Sequence, residues 1–312
     1  MGKTIIHVGL HKTATTFLQE KVWSNLKSYT CLTRPYTQHN YAFNQLQYAD
    51  DSLYKKKAVE NEISTIGESN ILLSDESFSG KPIFFSYINR TLIAKRLQEI
   101  FPKAEIILFI RDQKDIIKSH YSSYVKMPYG TKRIENFFYK PDCDYSYEQY
   151  IKSVNPGIEK TLYYDTNDFY IHLDCFKYSY IIDLYSQLFD KCHVFIYEDF
   201  KKDNRSTLMR LQEILGENIY IESTKPVNKS LSKFNLEQRR LSNKFTYTLE
   251  NKYIKKISRL ITNVIPIINI QNLDFCISNM VKDYYSKDNK LLKDKLTDVD
   301  WSAHPNKYIS CE

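Results

Sequence analysis

Short apolar segments alternate with longer amphipathic segments in this sequence, and this alternation limits the fold more than any other feature. Four apolar segments lack the in–out alternation of a half-exposed strand: Thr4–Val8, Ile71–Leu73, Glu105–Ile110 and His193–Tyr197. Strands of this kind are buried on both faces, as in a parallel sheet that is covered by helices. The sequence therefore predicts an α/β protein with three layers, a central parallel sheet flanked by helices.

Helical periodicity fills the intervals between these strands. The core-facing positions are Phe17, Leu18, Lys21, Val22 and Leu26 after Thr13; Ile88 to Phe101 before Pro102; Ile116, Ile117, His120, Tyr121 and Tyr124 after Arg111; Phe176 to Phe189; and Leu208, Leu211, Ile214 and Leu215 before Gly216. Proline and glycine at the ends of such patterns are typical helix stops. The alternation of strand and helix thus continues as far as Gly216.

The chain shows neither internal repeats nor a Ser/Gly-rich linker. We therefore expect a single domain over residues 1–312, with a core at 1–228 and a helical C-terminal part at 229–312. In that part Leu236, Leu241 and Leu249 follow one pattern, while the apolar segment 257–270 could pack on the sheet, on a partner or on a membrane surface.

The N-terminus runs straight into a strand pattern without a cationic and apolar leader. No apolar run reaches the roughly 18–20 residues that a membrane span needs. We expect a cytoplasmic protein. Peripheral contact of its C-terminal helices with the inner face of the membrane is an open alternative.

Composition narrows the function classes. The net charge of +7 is spread along the chain, which suits an anionic ligand but is too diffuse to indicate nucleic acid. The six cysteines have neither C-x-x-C pairing nor zinc-ligand spacing, so we expect no metal site. The 26 tyrosines could line a carbohydrate groove, although we favour their simply filling core and surface.

The stretch His7–Thr16 lies where the first strand becomes a helix. Free backbone N–H groups and the positive helix dipole bind anions at such a junction. Lys12 adds a positive charge, and Thr13, Thr15 and Thr16 add hydroxyl groups. One threonine would suffice to cap the helix, so three of them next to a lysine need a further explanation. We predict an anion site here. It is not a Walker A loop, which requires G-x-x-x-x-G-K-S/T; Lys12 follows Gly9 by three positions.

Lys12–Thr16 resembles the 5′-phosphosulfate loop of the sulfotransferases that use PAPS (3′-phosphoadenosine 5′-phosphosulfate). The loop of that family has a Lys-Thr-Gly-Thr-Thr-like core after the first strand, and Ala14 stands here in the place of the glycine. The resemblance implies a P-loop-like fold in which Lys12 contacts the bridging oxygen and the sulfuryl group while the threonines hold the 5′-phosphate. Ala14 then needs a backbone geometry that a small L-residue can adopt.

A second element resembles the same family. Its members place an arginine at a strand end and a serine eight residues later, both binding the 3′-phosphate, and Arg111 and Ser119 match that spacing. A guanidinium fork suits phosphate oxygens, and a hydroxyl can complete the site. Gln113 replaces the proline of many relatives, a form that resembles bacterial carbohydrate-modifying members. The polar stretch 225–230 could cover the nucleotide or be a solvated loop.

The candidate general base follows the second predicted strand. Leu72–Ser77 places carboxylates at its carboxyl end, where open α/β sheets build their sites. Several glycan-modifying relatives have a Ser-x-Glu there, which implies that Glu76 is the base. His11 is the second candidate; we expect His120 to pack or to face the nucleotide, although animal small-molecule members use a histidine base.

The resemblance implies transfer of a sulfuryl group from PAPS to an acceptor hydroxyl, without a metal, leaving adenosine 3′,5′-bisphosphate. We expect a carbohydrate acceptor, namely a bacterial polysaccharide, a glycolipid or a lipid-linked glycan, selected by residues 128–174 and the C-terminal helices. One alternative is a P-loop kinase or NTPase using ATP and Mg²⁺, because Ile71–Asp75 resembles a Walker B strand. The other is a non-catalytic nucleotide-binding scaffold, against which the intact Lys12, Arg111 and Ser119 argue.

Overall fold

The computed structural model describes residues 2–34, 36–67, 69–80, 89–128, 130–139, 171–221, 232–246 and 272–310. Segments 225–230 and 257–270, and most of 128–174, lie outside these ranges, so the expectations placed on them stay predictions. The strands are β1 Thr4–Val8, β2 Tyr29–Thr33, β3 Asn70–Asp75, β4 Glu105–Ile110, β5 Phe138–Tyr139, β6 Ile171–His172 and β7 Lys191–Ile196.

Five of these strands form one parallel sheet in the order β2-β3-β1-β4-β7. β1 lies at the centre, with Ile6 opposite Leu73 of β3 and opposite Ile106 of β4. The short strands β5 and β6 pair separately. The predicted parallel sheet is thereby confirmed.

Helices cover both faces of the sheet, because successive strand residues point to opposite sides. Ile5 of β1 packs with Phe17, Trp23 and Leu211 on one face, whereas Ile6 belongs to the cluster on the other. The first face is covered by Thr15–Phe17, which continues as the π-helical turn Leu18–Val22 and the 3₁₀ turn Trp23–Asn25, and by Tyr197–Lys202 and Asn204–Leu215. The second is covered by Tyr41–Tyr48, Lys56–Ser64, Arg90–Ile100, Gln113–Lys126 and Tyr178–Leu188. The three-layer prediction is also confirmed.

Some local expectations need correction. Tyr197 begins a helix and does not end β7, which starts two residues earlier than expected. Lys21 points to solvent and does not share the buried stripe of its helix. β2 and the helices Tyr36–His39, Tyr41–Tyr48 and Lys56–Ser64 were not predicted.

The described part of the C-terminal quarter packs against the core. Its helices are Lys233–Thr246, Leu273–Met280 and Ser286–Lys295, followed by the turn Trp301–Ala303, and Leu236, Ile277 and Leu292 are buried. Among the described helices, none combines the length and the apolar character needed to cross a membrane.

Residues 301–310, which we call the C-terminal segment, return to the carboxyl edge of the sheet. Tyr308 is fully buried; its backbone N–H donates to Asp112 Oδ2 at 3.1 Å and its hydroxyl donates to Glu198 Oε2 at 2.8 Å. Lys307 pairs with Asp115 at 2.7 Å. This segment therefore joins the start of the Gln113–Lys126 helix to the end of β7.

Candidate active site

The carboxyl ends of β1, β3 and β4 lie side by side, and each is followed by predicted site residues. In this strand order the chain leaves β1 toward β2 and leaves β4 toward β7 in the opposite direction. A crevice between strands whose connections diverge is where open α/β sheets bind their ligands. The loop after β1, Glu76 and Arg111 all meet at this edge.

The loop after β1 has an unusual backbone. Lys12 has a φ of 73° and Ala14 a φ of 66°, both in the left-handed region, and Ala14 immediately precedes the helix. Gly9 is needed for another reason: a Cβ there would lie 2.7 Å from Thr15 Oγ1. Ala14 thus adopts a conformation that glycine adopts more readily, at an energetic cost.

The threonines of the loop divide into two kinds. Thr13 and Thr15 are buried, and the Thr13 hydroxyl donates to the Leu10 carbonyl at 2.5 Å, with Thr15 Oγ1 at 3.5 Å from the same oxygen. Thr15 also hydrogen-bonds Glu76. Thr16 is half-buried, as is Lys12. Thr13 and Thr15 therefore hold the loop together, and their contact with a phosphate stays a prediction.

Glu76 stands at the start of the turn after β3 and faces the cationic side chains of Arg34 and Lys12 and the imidazole of His11. Its Oε2 lies 3.1 Å from Arg34 Nη1 and 3.7 Å from His11 Nε2. Burial raises the pKa of Glu76, while Arg34 and then Lys12 lower it. Burial has the opposite effect on the cationic Lys12, whose pKa it lowers, and Glu76 raises the pKa of Lys12. The predicted base and the predicted sulfuryl-binding lysine are thus electrostatic partners.

Arg111 comes directly after β4 and reaches the loop. Its Nη1 donates to the Lys12 carbonyl at 2.9 Å, and the guanidinium lies 4.5 Å from the centre of the Tyr197 ring. Its buried Nε has no hydrogen-bond partner among the described residues. A buried unpaired donor calls for a ligand or water, and here it belongs to a group that suits phosphate.

Ser119 lies in the second turn of the helix Gln113–Lys126, half-buried. In the described part of the chain no hydrogen bond joins it to Arg111. The structure therefore brings Lys12, Glu76, Arg111 and the loop threonines together, and leaves the role of Ser119 as a prediction.

His120, on the same helix, is fully buried, and its Nε2 has no hydrogen-bond partner among the residues described. Burial lowers its pKa well below the ordinary value, and His11, Lys12 and Arg111 lower it further. The rings of His11 and His120 are 6.3 Å apart. Burial thus favours the neutral form of the His120 imidazole, and a contact of this side chain with the nucleotide stays a prediction.

Asp75, the carboxylate that a Walker B role would need, already accepts hydrogen bonds from neighbouring residues. Its carboxylate accepts from Thr37 Oγ1 at 2.5 Å, from the Ser77 N–H at 2.8 Å and from Gln47 Nε2 at 3.4 Å. Within the ranges described, no group of three or more His, Cys, Asp or Glu side chains could hold a metal ion. The donor set around Asp75 therefore favours a structural role.

Comparison with known proteins yields structural likenesses only. No model of a known protein family matches the chain, and no curated protein matches it. A sulfotransferase from Alicyclobacillus acidocaldarius is similar at 15% identity, covering 78% of this chain and 92% of that one, with a TM-score of 0.47. A sulfotransferase domain from the curacin biosynthetic pathway is similar at 13% identity, covering 90% and 98%, with a TM-score of 0.35. The activity has to be argued from the chain's own site.

Proposed function

We propose that this protein is a sulfotransferase that moves a sulfuryl group from PAPS to an acceptor hydroxyl. The observation that carries the proposal is the hydrogen bond from Arg111 to the Lys12 carbonyl at 2.9 Å. It couples the residue expected at the 3′-phosphate to the loop expected at the 5′-phosphosulfate. Both lie at the crevice between β1 and β4, and together they supply the cationic charge that a bisphosphate donor requires.

The chemistry follows from the same residues. The acceptor oxygen attacks sulfur in line, the bond from sulfur to the bridging oxygen breaks, and adenosine 3′,5′-bisphosphate leaves. Lys12 stabilises the charge that develops on the bridging oxygen. Glu76 takes the acceptor proton; burial strengthens it as a base, while Arg34 and Lys12 keep it ionised.

For the acceptor we propose a carbohydrate hydroxyl, on a bacterial polysaccharide, a glycolipid or a lipid-linked glycan, reached from the cytoplasmic side. The proposal is supported by the carboxylate at position 76 and by Gln113, both of which resemble glycan-modifying relatives. A kinase using ATP and Mg²⁺ is less well supported, because the Asp75 oxygens already accept from Thr37 and Ser77.

Titration calorimetry tests the donor class without knowledge of the acceptor. We expect adenosine 3′,5′-bisphosphate to bind without metal at a micromolar Kd, and Arg111→Ala to abolish that binding. Arg205, an exposed arginine of the helix Asn204–Leu215, provides the control, since Arg205→Ala should bind as the parent does. Binding of ATP with Mg²⁺ alone would overturn the proposal.

Turnover separates the two catalytic residues. Release of labelled sulfate from PAPS should fall by about 10²-fold or more in Lys12→Ala, because leaving-group stabilisation is lost. Glu76→Gln should slow the same release of sulfate by about 10²–10⁴-fold, with the affinity for the bisphosphate nearly intact. Full release activity in Glu76→Gln would exclude Glu76 as the base.

A further inference from the structure

Arg34 is the first residue after the edge strand β2, and its side chain crosses the carboxyl end of β3. Its Nη1 lies 3.1 Å from Glu76 Oε2, and its Nε lies 3.7 Å from Asp75 Oδ1. The side chain is one-third exposed, at 33%, while the Asp75 side chain is only 1% exposed. Arg34 therefore bridges a buried carboxylate and the proposed base.

Asp75 is well fixed and can orient Arg34. Three groups donate to it, the Thr37 hydroxyl, the Ser77 N–H and the Gln47 amide. Such a carboxylate has little freedom to turn, so a guanidinium next to it is directed as well. The same arrangement leaves Arg34 on the β2 side of Glu76, opposite the side on which Arg111 contacts the loop.

We propose that Arg34 is a positioning residue for Glu76, holding its carboxylate in one orientation and ionised for removal of the acceptor proton. This inference rests on the proposed function, because it assigns Glu76 the task of a base. Among the described residues, no hydrogen bond or ion pair joins the Arg34 side chain to the loop after β1 or to Arg111, so its effect on the reaction passes through Glu76.

The charged and titratable groups that face Glu76 come from three elements. Arg34 follows β2, His11 and Lys12 belong to the loop after β1, and Asp75 ends β3. Burial and Asp75 raise the pKa of Glu76, Lys12 lowers it, and Arg34 is the strongest of the lowering influences. Removal of Arg34 should thus raise the pKa, since burial and Asp75 then act against fewer cations.

The titration of Glu76 can be observed directly by carbon NMR on protein labelled at the glutamate carboxyl carbon, with Glu76→Gln assigning the signal. We expect Arg34→Met to move the midpoint to higher pH and Arg34→Lys to return it toward the parent value. Arg205→Met is the matched control and should leave the midpoint in place. An unmoved midpoint in folded Arg34→Met would overturn the proposal.

Two further measurements separate this inference from the proposed function. The first is the pH dependence of slow sulfate release from PAPS to water. In Arg34→Met this activity should begin to fall at a higher pH than in the parent, because more Glu76 is then protonated. If the activity fell at the same pH in both proteins, the positioning role of Arg34 would be contradicted. Bisphosphate binding should persist in the same variant. If the parent failed to bind the bisphosphate, the sulfotransferase proposal would fail whatever the NMR midpoint did.

Discussion

At the scale of single residues, the loop after β1 is held in a conformation that L-amino acids adopt at a cost. Lys12 and Ala14 both have positive φ, and each such residue costs about 1–2 kcal/mol. Strain of this kind concentrates where backbone atoms must be presented to a ligand. The loop accepts it at Lys12, the half-buried residue that we propose for leaving-group stabilisation.

Ala14→Gly should stabilise the protein. The relief of strain, about 1–2 kcal/mol, exceeds the ~0.4–1 kcal/mol that glycine loses through greater freedom of the unfolded chain. We expect the free energy of unfolding, measured in urea, to rise by up to about 1.6 kcal/mol. Ala58→Gly, inside the helix Lys56–Ser64, is the control and should lower it by about 0.5–1 kcal/mol. A loss in both variants would argue against strain at Ala14.

Two buried histidines should make the fold sensitive to acid. Burial lowers the pKa of His7 to about 3 and that of His120 well below 6.5. Below pH 6.5 the unfolded chain therefore binds protons that the folded protein does not bind, and the free energy of unfolding decreases as the pH falls. His7 accounts for about 1.4 kcal/mol per pH unit, or about 2 kcal/mol between pH 6.5 and 5, and His120 acts in the same direction.

His7→Gln should remove the contribution of His7 to the pH dependence of the free energy of unfolding. Urea unfolding at pH 7 and at pH 5 should differ by about 2 kcal/mol less in His7→Gln than in the parent. His39→Gln, at an exposed histidine, should behave as the parent does. An unchanged pH dependence in His7→Gln would mean that the pKa of His7 is the same in the folded protein as in the unfolded chain.

At the scale of elements, the sequence is informative wherever burial is two-sided. β1, β3 and β4 occupy the interior of the sheet, and continuous apolar runs revealed them. β2 is an edge strand with a mixed burial pattern, in which Thr30, Cys31 and Thr33 are half-exposed. A strand with one neighbour and one wet side needs no continuous apolar run, so nothing in its composition distinguished it from a loop.

The site was predictable as segments but not as contacts. Lys12 and Arg111 could be recognised from their places after strands, whereas the bond between them spans 99 positions in the chain. Arg34 gave no signal, because its strand was not predicted. Its role depends on Asp75, whose partners Thr37 and Gln47 come from helices that were also not predicted.

For the tyrosines, too, the hydrogen-bond partners could not be predicted from the sequence. Several described ones are buried, and their hydroxyls donate to backbone carbonyls: Tyr121 to Lys132, Tyr178 to Arg111, Tyr185 to Phe78 and Tyr285 to Leu173. A buried phenol with such a partner fills the core without an unsatisfied polar group. For these residues the core role is the right interpretation, and Tyr178 additionally fixes the backbone of Arg111.

At the scale of the whole molecule, the C-terminal segment connects distant parts of the chain around the site. Tyr308 bonds to Asp112 and to Glu198, and the Asp112 N–H donates to Glu198 Oε1 at 3.1 Å. Burial raises the pKa of Glu198, which the Tyr308 hydroxyl counteracts. Arg111 is thus held from both sides, by the loop after β1 and by this network.

Tyr308→Phe should weaken the molecule as a whole. The lost hydroxyl leaves a buried carboxylate oxygen of Glu198 without its donor, which costs about 1–3 kcal/mol. Urea unfolding of Tyr308→Phe should show that loss, whereas Tyr220→Phe, at a side chain that is 75% exposed, should show none. An equal stability of both variants would mean that water replaces the hydroxyl.

The burial of Tyr308 also has a consequence for biosynthesis. The ribosome adds residues in order, so β1, β4 and β7 leave it before the C-terminal segment does. Until position 308 has emerged, Asp112 and Glu198 lack the partner that joins them. A nascent chain can therefore assemble its sheet before the neighbourhood of Arg111 is complete, and a message cut short near codon 300 would encode a protein in which the surroundings of Arg111 are loosened.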